Sequence, residues 1–308
     1  VTRRILTITL NPAVDVTYRV DALHLGGTTR VSDVRSRAGG KGVNVAAVVR
    51  QLGGESLVLA LTTTRTPDEF GDGLDRLGLA HRLVPALPAV RRTVAVATPA
   101  DGTTMLQENG FPADGTAEGG IFAALRAELP AGAVVISGSV PEGLGADVPA
   151  KLARLCLRHD VPVIADVSGA ALREAAGSGA VLMPNEDELE ELAGPGSEAC
   201  QDLVAAGAPA VVATLGPEGA IAVTARGAWR AWPAEVVTGN SAGAGDAGAA
   251  ALAVRLAEAG GTSEVDWPVA LADVVATSAA AVLRPVAGEI DVAARDKWAP
   301  AVKVERIR

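Results

Sequence analysis

Thr238-Gly239-Asn240-Ser241-Ala242-Gly243-Ala244-Gly245-Asp246 is the most chemically loaded stretch of this 308-residue chain. It leads into an Ala-rich segment, about 243–260, that reads as a long helix. Glycines just before a helix let the backbone approach an anion, and the free N–H groups and helix dipole favour negative charge there. A carboxylate in the same turn would repel that anion unless it has a chemical task. Asp246, near a helix N-terminus, should stay ionised and accept a proton from a hydroxyl. The other reading of the same spacing is a simple helix cap. Gly243-Ala244-Gly245-Asp246-Ala247-Gly248 also fits G-x-G-x-x-G, but weakly: it comes late in the chain, and a second Ala-rich helix follows where an acid-ended strand is needed.

Upstream of this turn, short apolar runs alternate with helical periods. Strands are expected at Ile5 to Leu10, Ser56 to Leu61, Ala133 to Ser137, Val161 to Asp166, Ala180 to Met183 and Ala210 to Thr214. Helices are expected at Lys41 to Leu52, near 116–129, 147–159, 185–193 and 197–207, and at about 265–283. This alternation predicts an α/β fold with a mostly parallel sheet covered on both faces. Segments 14–37 and 91–107 alternate apolar and polar residues instead. They predict a small antiparallel sheet outside the main one, a lid, with a turn at Pro99-Ala100-Asp101-Gly102. In parallel sheets ligands bind at the carboxyl ends of the strands. The loops at Asn11–Asp15, Ser137–Ser139, Asp166–Ser168, Pro184–Asn185 and Thr214–Gly216 should therefore gather on one edge.

Composition removes other function classes. Lys+Arg 27 against Asp+Glu 36 leaves a net charge of −9, opposite to a nucleic-acid footprint. Aromatics at 3% are too few for a base-stacking platform. No apolar run reaches the roughly 18 residues of a membrane span, and Val1-Thr2-Arg3-Arg4-Ile5 has no signal-peptide core. Two cysteines, Cys156 and Cys200, make no disulfide framework, and Cys156 sits in an apolar helical pattern that predicts a reduced, buried thiol. A cytoplasmic protein is expected. His24, His81 and His159 lack metal-ligand spacing, and Trp229 and Trp232 read as packing residues.

A second Gly-rich signal lies at Ala38-Gly39-Gly40-Lys41-Gly42-Val43-Asn44. It is not a Walker A loop, because Gly42 follows Lys41 where Ser or Thr is needed. Lys41 is one of only four lysines, with Lys151, Lys297 and Lys303. Asn44 falls on the first helical turn, where it can bond a hydroxyl or cap the backbone.

Taken together, the two Gly-rich loops resemble the two signatures of the ribokinase-like PfkB carbohydrate kinases. Thr9-Leu10-Asn11-Pro12-Ala13-Val14-Asp15, Ile136–Gly143, Pro184-Asn185-Glu186-Asp187-Glu188-Leu189 and Thr214-Leu215-Gly216-Pro217-Glu218-Gly219 resemble the sugar-phosphate branch of that family. The resemblance covers nearly the whole chain. It implies one kinase domain over 1–308, built as a three-layer α/β/α sandwich with a small β-sheet lid from 14–37 and 91–107. It further implies ATP-dependent phosphoryl transfer to a sugar hydroxyl, with fructose 1-phosphate the favoured acceptor over tagatose 6-phosphate, fructose 6-phosphate, a free sugar or a nucleoside. By position, Asp246 would be the base and the backbone of Ala244, Gly245 and Asp246 the anion hole, with Gly243 also in the catalytic set. Asp15, Gly39, Gly40, Lys41 and Asn44 would hold the sugar. Arg91 would contact its phosphate, with Ser139 and Arg30 as weaker partners for that group. Asn185, Thr214, Gly216 and Gly219, with Gly243 and Gly245, would line the nucleotide, and Glu188 would hold Mg²⁺ through water. The resemblance also allows a monovalent cation near Pro285 to Gly288 and a homodimer through the lid.

Three positions depart from the family pattern. Met183 stands where Lys is frequent, Ala242 where Thr or Val is usual, and Leu61–Asp68 replaces a Gly-rich stretch. Met183 and Ala242 are the support for a non-enzyme alternative, a sugar or nucleotide sensor on the kinase fold.

Overall fold

A computed structural model describes residues 4–99 and 102–307. Val1, Thr2 and Arg3 of the N-terminal reading, and Ala100 and Asp101 of the expected turn, lie outside the described residues. The strands are β1 (Ile5–Thr9), β2 (Ala13–Arg19), β3 (Asp33–Gly39), β4 (Ser56–Thr63), β5 (His81–Leu87), β6 (Arg91–Thr98), β7 (Gly102–Gln107), β8 (Ala133–Ser137), β9 (Val163–Asp166), β10 (Val181–Leu182), β11 (Ala210–Thr214), β12 (Ala220–Thr224), β13 (Gly227–Trp232) and β14 (Lys303–Arg306). The helices are α1 (Lys41–Gln51), α2 (Glu69–Arg76), α3 (Ala117–Glu128), α4 (Val148–Leu157), α5 (Gly169–Ala176), α6 (Glu186–Ala193), α7 (Gly196–Ala205), α8 (Ala244–Ala259), α9 (Trp267–Val282) and α10 (Val292–Trp298).

The large sheet has the order β14-β13-β12-β11-β10-β9-β8-β1-β4-β5. From β5 to β11 every neighbouring pair is parallel. β12, β13 and β14 extend one edge antiparallel. Strands covered on both faces need apolar side chains both ways, and β1 and β8 are buried at every residue. β4 shows the period of two directly. Leu57, Leu59 and Leu61 enter one core layer with α3 to α7, while Val58 and Ala60 enter another with Phe70 and Leu74 of α2. α1, α8 and α9 fill the opposite layer, where Val45, Val48 and Val49 meet the alanines of α8 and α9. Arg255 of α8 and Arg295 of α10 both pair with the buried Asp273 of α9, locking these helices together. Cys156 and Cys200 are free and buried, and burial pushes both thiols up to about 12.

The second sheet has the order β3-β2-β6-β7. Its central pair, β2 with β6, is parallel, so the sheet is mixed, not antiparallel as its alternation suggested. Residues 20–32, inside the expected lid segment, form no strand. The local pattern marks the strands, but the pairing partner lies 78 residues away and is chosen by the main sheet that carries both. Trp229 and Trp232 stand half-buried on β13, with Arg230 and Lys303 over the Trp232 ring and Arg306 over Trp229.

Because β1, β8, β9, β10 and β11 run in one direction, the residues after them emerge on one edge. Asn11, Ser139, Asn185 and Gly216 follow these strands, and Asp166 ends β9. β2 and β3 leave and re-enter the main body at that edge, between β1 and α1.

Candidate active site

The turn before α8 is a left-handed glycine. Gly243 caps the helix at φ 80°, a conformation that costs a residue with Cβ about 1 kcal/mol or more. The Ala244 amide donates to Ser241 O at 3.2 Å, so it is already engaged. The amides of Gly245 and Asp246 have no acceptor among the described residues, and a Cβ on Gly245 would meet open space. Of the three amides expected to form an anion hole, those of Gly245 and Asp246 are thus free and that of Ala244 is not. Two free N–H groups at a helix start, with room in front of them, fit a phosphate.

Asp246 is buried, 5% exposed, and its Oδ2 accepts from Asn44 Nδ2 at 2.8 Å. Burial, and then the Asp166 carboxylate, raise its pKa well above the ordinary aspartate value, while Lys41 and the Asn44 hydrogen bond pull it down. Burial thus opposes the ionised state that the helix start was expected to favour. A carboxylate so placed is closer to neutral than an exposed one and has the chemistry to accept a proton from a hydroxyl. The Asp246 carboxylate accepts from Asn44 and from no backbone N–H of α8 among the described residues, so it does not cap that helix.

The other Gly-rich loop brings the acceptor side. Gly40, at φ 103°, caps α1 and sets Lys41 and Asn44 on the first turn. A Cβ on Gly39 would overlap the Asp15 carboxylate, so that glycine is the space Asp15 occupies. Burial raises the Asp15 pKa, and Arg37 and Arg91 oppose it. Asn44 Oδ1 is buried without a partner, an acceptor open to a ligand hydroxyl.

Lys41 Nζ donates to Asp166 Oδ1 at 2.9 Å, and Ser137 Oγ donates to Asp166 Oδ2 at 2.7 Å. Lys41 faces an acidic surround: desolvation lowers its pKa, but Asp166, Asp246 and Glu188 more than reverse this, so it stays a cation. Arg91 begins β6 opposite Ala13 of β2. It donates to Asn11 O at 3.4 Å and Glu108 O at 3.0 Å. Asn11 Nδ2 in turn donates to Ser139 Oγ at 2.9 Å and Asn109 O at 3.0 Å. Arg91 and Ser139 thus share one patch, joined through Asn11.

On the far side of the edge, Asn185 and Thr214 form a parallel bridge after β10 and β11. Asn185 caps α6 by accepting from the Glu188 amide at 2.8 Å, and Glu188 Oε2 accepts from the Asn185 amide at 2.9 Å. One Glu188 oxygen remains for other work. No group of three or more His, Cys, Asp or Glu suited to a metal exists among the described residues. A single carboxylate fits hydrated Mg²⁺, which is held mainly by substrate phosphates and water. Gly216 opens a short turn after β11 and is exposed. A Cβ on Gly219 would overlap the Ala231 carbonyl, so that glycine answers to β13.

Arg30 is the site residue that does not join. It is exposed beside Arg19, Asp33 and Pro99, at the far end of the small sheet. β2 runs from Ala13 to Arg19, which puts that end about 13 Å beyond Asp15 at ~3.3 Å per residue. The resemblance offered it as a weaker partner for the sugar's phosphate, but the strand carries it outward. Sequence reasoning missed Asp166, Asn11 and Arg37. Asp166 was signalled only by its place at the end of a strand, and Asn11 only by its quoted motif.

A model of the pfkB family carbohydrate kinases matches residues 8–292. Phosphofructokinase-2 from Escherichia coli, solved in complex with fructose-6-phosphate, is 26% identical with a TM-score of 0.87, covering 97% of this chain and 98% of that one. A possible 1-phosphofructokinase from Thermotoga maritima shares the fold at 20% identity and a TM-score of 0.87, covering 99% and 100%. So does Arabidopsis thaliana ribokinase, complexed with ribose and ATP, at 20% identity and a TM-score of 0.70, covering 96% and 98%. A family match across most of the chain, on a fold that joins both Gly-rich loops through Asn44 and Asp246, makes this chain a member of the pfkB family and an ATP-dependent carbohydrate kinase.

Proposed function

We propose that the chain transfers the γ-phosphoryl group of ATP to a hydroxyl of a phosphorylated ketohexose, with fructose 1-phosphate the favoured acceptor and fructose 1,6-bisphosphate the product. The observation that carries this is the patch of Arg91, Asn11 and Ser139 beside Asp15, on the same sheet edge as Asp246. A planar guanidinium beside a hydroxyl suits a phosphate already on the acceptor. A free sugar would leave Arg91 without that anion. Fructose 6-phosphate is the second reading, favoured by its presence in the 26% identical neighbour.

In this reading Asp15 and Asn44 bond sugar hydroxyls. Asp246 takes the proton of the attacking hydroxyl as that oxygen bonds to phosphorus and the bond to the ADP oxygen breaks. The Gly245 and Asp246 amides stabilise the charge that develops on the phosphoryl oxygens. Thr214, Gly216 and Asn185 line the nucleotide side, and Glu188 would hold Mg²⁺ through water, an ion that would supply further charge neutralisation. The small sheet acts as a lid that excludes water, a competing acceptor. Its exposed Val34 and Leu106, which share one face, support a homodimer formed through that sheet. The whole chain is then one kinase domain.

ADP release measured over fructose 1-phosphate, fructose 6-phosphate, tagatose 6-phosphate and the free sugars tests the proposal. Turnover confined to free sugars would overturn it. Tight nucleotide binding with no ADP release from any acceptor would favour the sensor alternative.

A further inference from the structure

Arg37 makes more connections than a strand residue needs. It sits opposite Asp15 in the β2–β3 ladder, so both side chains stand on one face of the small sheet. Its Nη1 donates to the Ala287 carbonyl at 2.6 Å, and its Nε to the Ala38 carbonyl at 3.4 Å. The 285–288 segment it grips is the wall behind the α8 turn. A Cβ on Gly243 would lie 2.7 Å from Ala287 Cβ. A Cβ on Gly288 would lie 2.9 Å from Asn44 Oδ1 and 3.0 Å from Arg37 Nη2, so guanidinium, Asn44 amide and segment meet at one point. α1 and the turn hold the same segment from elsewhere. Gln51 Nε2 donates to Gly288 O at 2.8 Å, and Asn240 Nδ2 to Pro285 O at 3.2 Å. The guanidinium is largely desolvated. This lowers its pKa, and Asp15 and Glu289 oppose the shift. A cation that only decorated a strand would sit in water at no such cost.

We propose that Arg37 is a positioning residue that ties the small sheet at Asp15 to the 285–288 segment behind Gly243, so that binding of the sugar phosphate and of the nucleotide reinforce each other. The inference rests on the kinase reading above. A guanidinium suits this task because its fork donates in two directions at once, to a carbonyl on one side and towards a carboxylate on the other. Thermodynamic reciprocity then requires the effect to run both ways: each ligand tightens the other by the same factor.

The test is the Kd of ADP with and without fructose 1-phosphate or fructose 6-phosphate, and the converse, in the wild type and Arg37→Ala. In the wild type the ligands should tighten one another by about 5- to 150-fold. In Arg37→Ala that factor should fall to about twofold or less, with turnover falling alongside it. Added guanidinium ion should restore part of both, which it would not do for a variant that is merely unstable. Undiminished coupling in Arg37→Ala overturns the proposal. So does a loss of sugar-phosphate affinity alone, with ADP binding and turnover intact, since that marks a direct sugar contact. If Arg37→Ala does not fold, Arg37→Lys keeps the charge beside Asp15 but loses the fork, and wild-type coupling in that variant overturns the proposal equally. A wild type that binds ADP and a sugar phosphate without mutual tightening sinks the Arg37 inference alone. One that binds neither sinks the kinase reading as well.

Discussion

Asn44 Nδ2 donates to Asp246 Oδ2 at 2.8 Å across 202 residues of sequence, and this contact joins the start of α1 to the start of α8. It gives one amide side chain two functions. Its donor holds the Asp246 carboxylate and favours the ionised form, and its buried, unpartnered Oδ1 is open to a ligand hydroxyl.

Asp246→Asn should lower turnover by about 10²- to 10⁴-fold, the usual contribution of a general base, while ADP still binds. Its effect on stability has a definite sign. The folded state holds the Asp246 proton above the ordinary carboxylate range, mainly through burial. That contribution is therefore complete below the unfolded value and is lost as pH rises through the folded one. The Asn variant lacks this loss and should melt no lower than the wild type at neutral pH. Melting curves from pH 4 to 8 check the slope, and a steep loss of stability in the variant would contradict the assignment.

The acid limb of the pH–rate profile should lie above the range of an exposed aspartate, and two neighbours should move it in opposite directions. Asn44→Ala removes a hydrogen bond that favours the charged form, so the limb should rise. Asp166→Asn removes a repelling carboxylate and releases Lys41, so the limb should fall. Shifts of both variants in the same direction would exclude Asp246 as the titrating base.

Arg91→Ala should raise KM for the phosphorylated acceptor by about 10- to 100-fold, the loss expected for a hydrogen bond to a charged group. Any slow turnover of the free sugar should be unaffected. Steady-state kinetics on both acceptors decides this, and an equal penalty on each would show that Arg91 does not read the phosphate.

Gly39→Ala should weaken acceptor binding and cost about 1–3 kcal/mol, because its Cβ would overlap the Asp15 carboxylate. Gly119→Ala is the contrast. It lies inside α3 with nothing within 4 Å of the new Cβ, so it should stabilise the fold by roughly 0.5–1 kcal/mol. Chemical denaturation measures both, and destabilisation by Gly119→Ala would contradict the local account.

Much of the main sheet was legible because buried parallel strands are short apolar runs between helical periods. β1, β8 and β11, and α1, α8 and α9, fall where that pattern puts them. α2 and β5 were not legible. α2 holds Gly71 and Gly73 within eight residues, and Gly73 is glycine because α2 presses on the Ala38 backbone. β5 carries Pro85, which its edge position tolerates and its local sequence argues against. α5 is a helix of eight residues whose buried stripe is only Ala171, Leu172 and Ala175, too short to mark a helical period.

The candidate site divides along the same line. The glycines and polar residues that meet at the edge could be named from the chain, because each answers a local demand: a tight turn, a helix start, the end of a strand. Tertiary structure decided that Asp246 is poised by burial and Asp166, that Lys41 is held by Asp166, that Arg30 stands at the wrong end of the small sheet, and that Arg37 grips Ala287. Backbone conformation is set by neighbours along the chain, whereas pKa, desolvation and reach depend on distances between segments that only packing brings together.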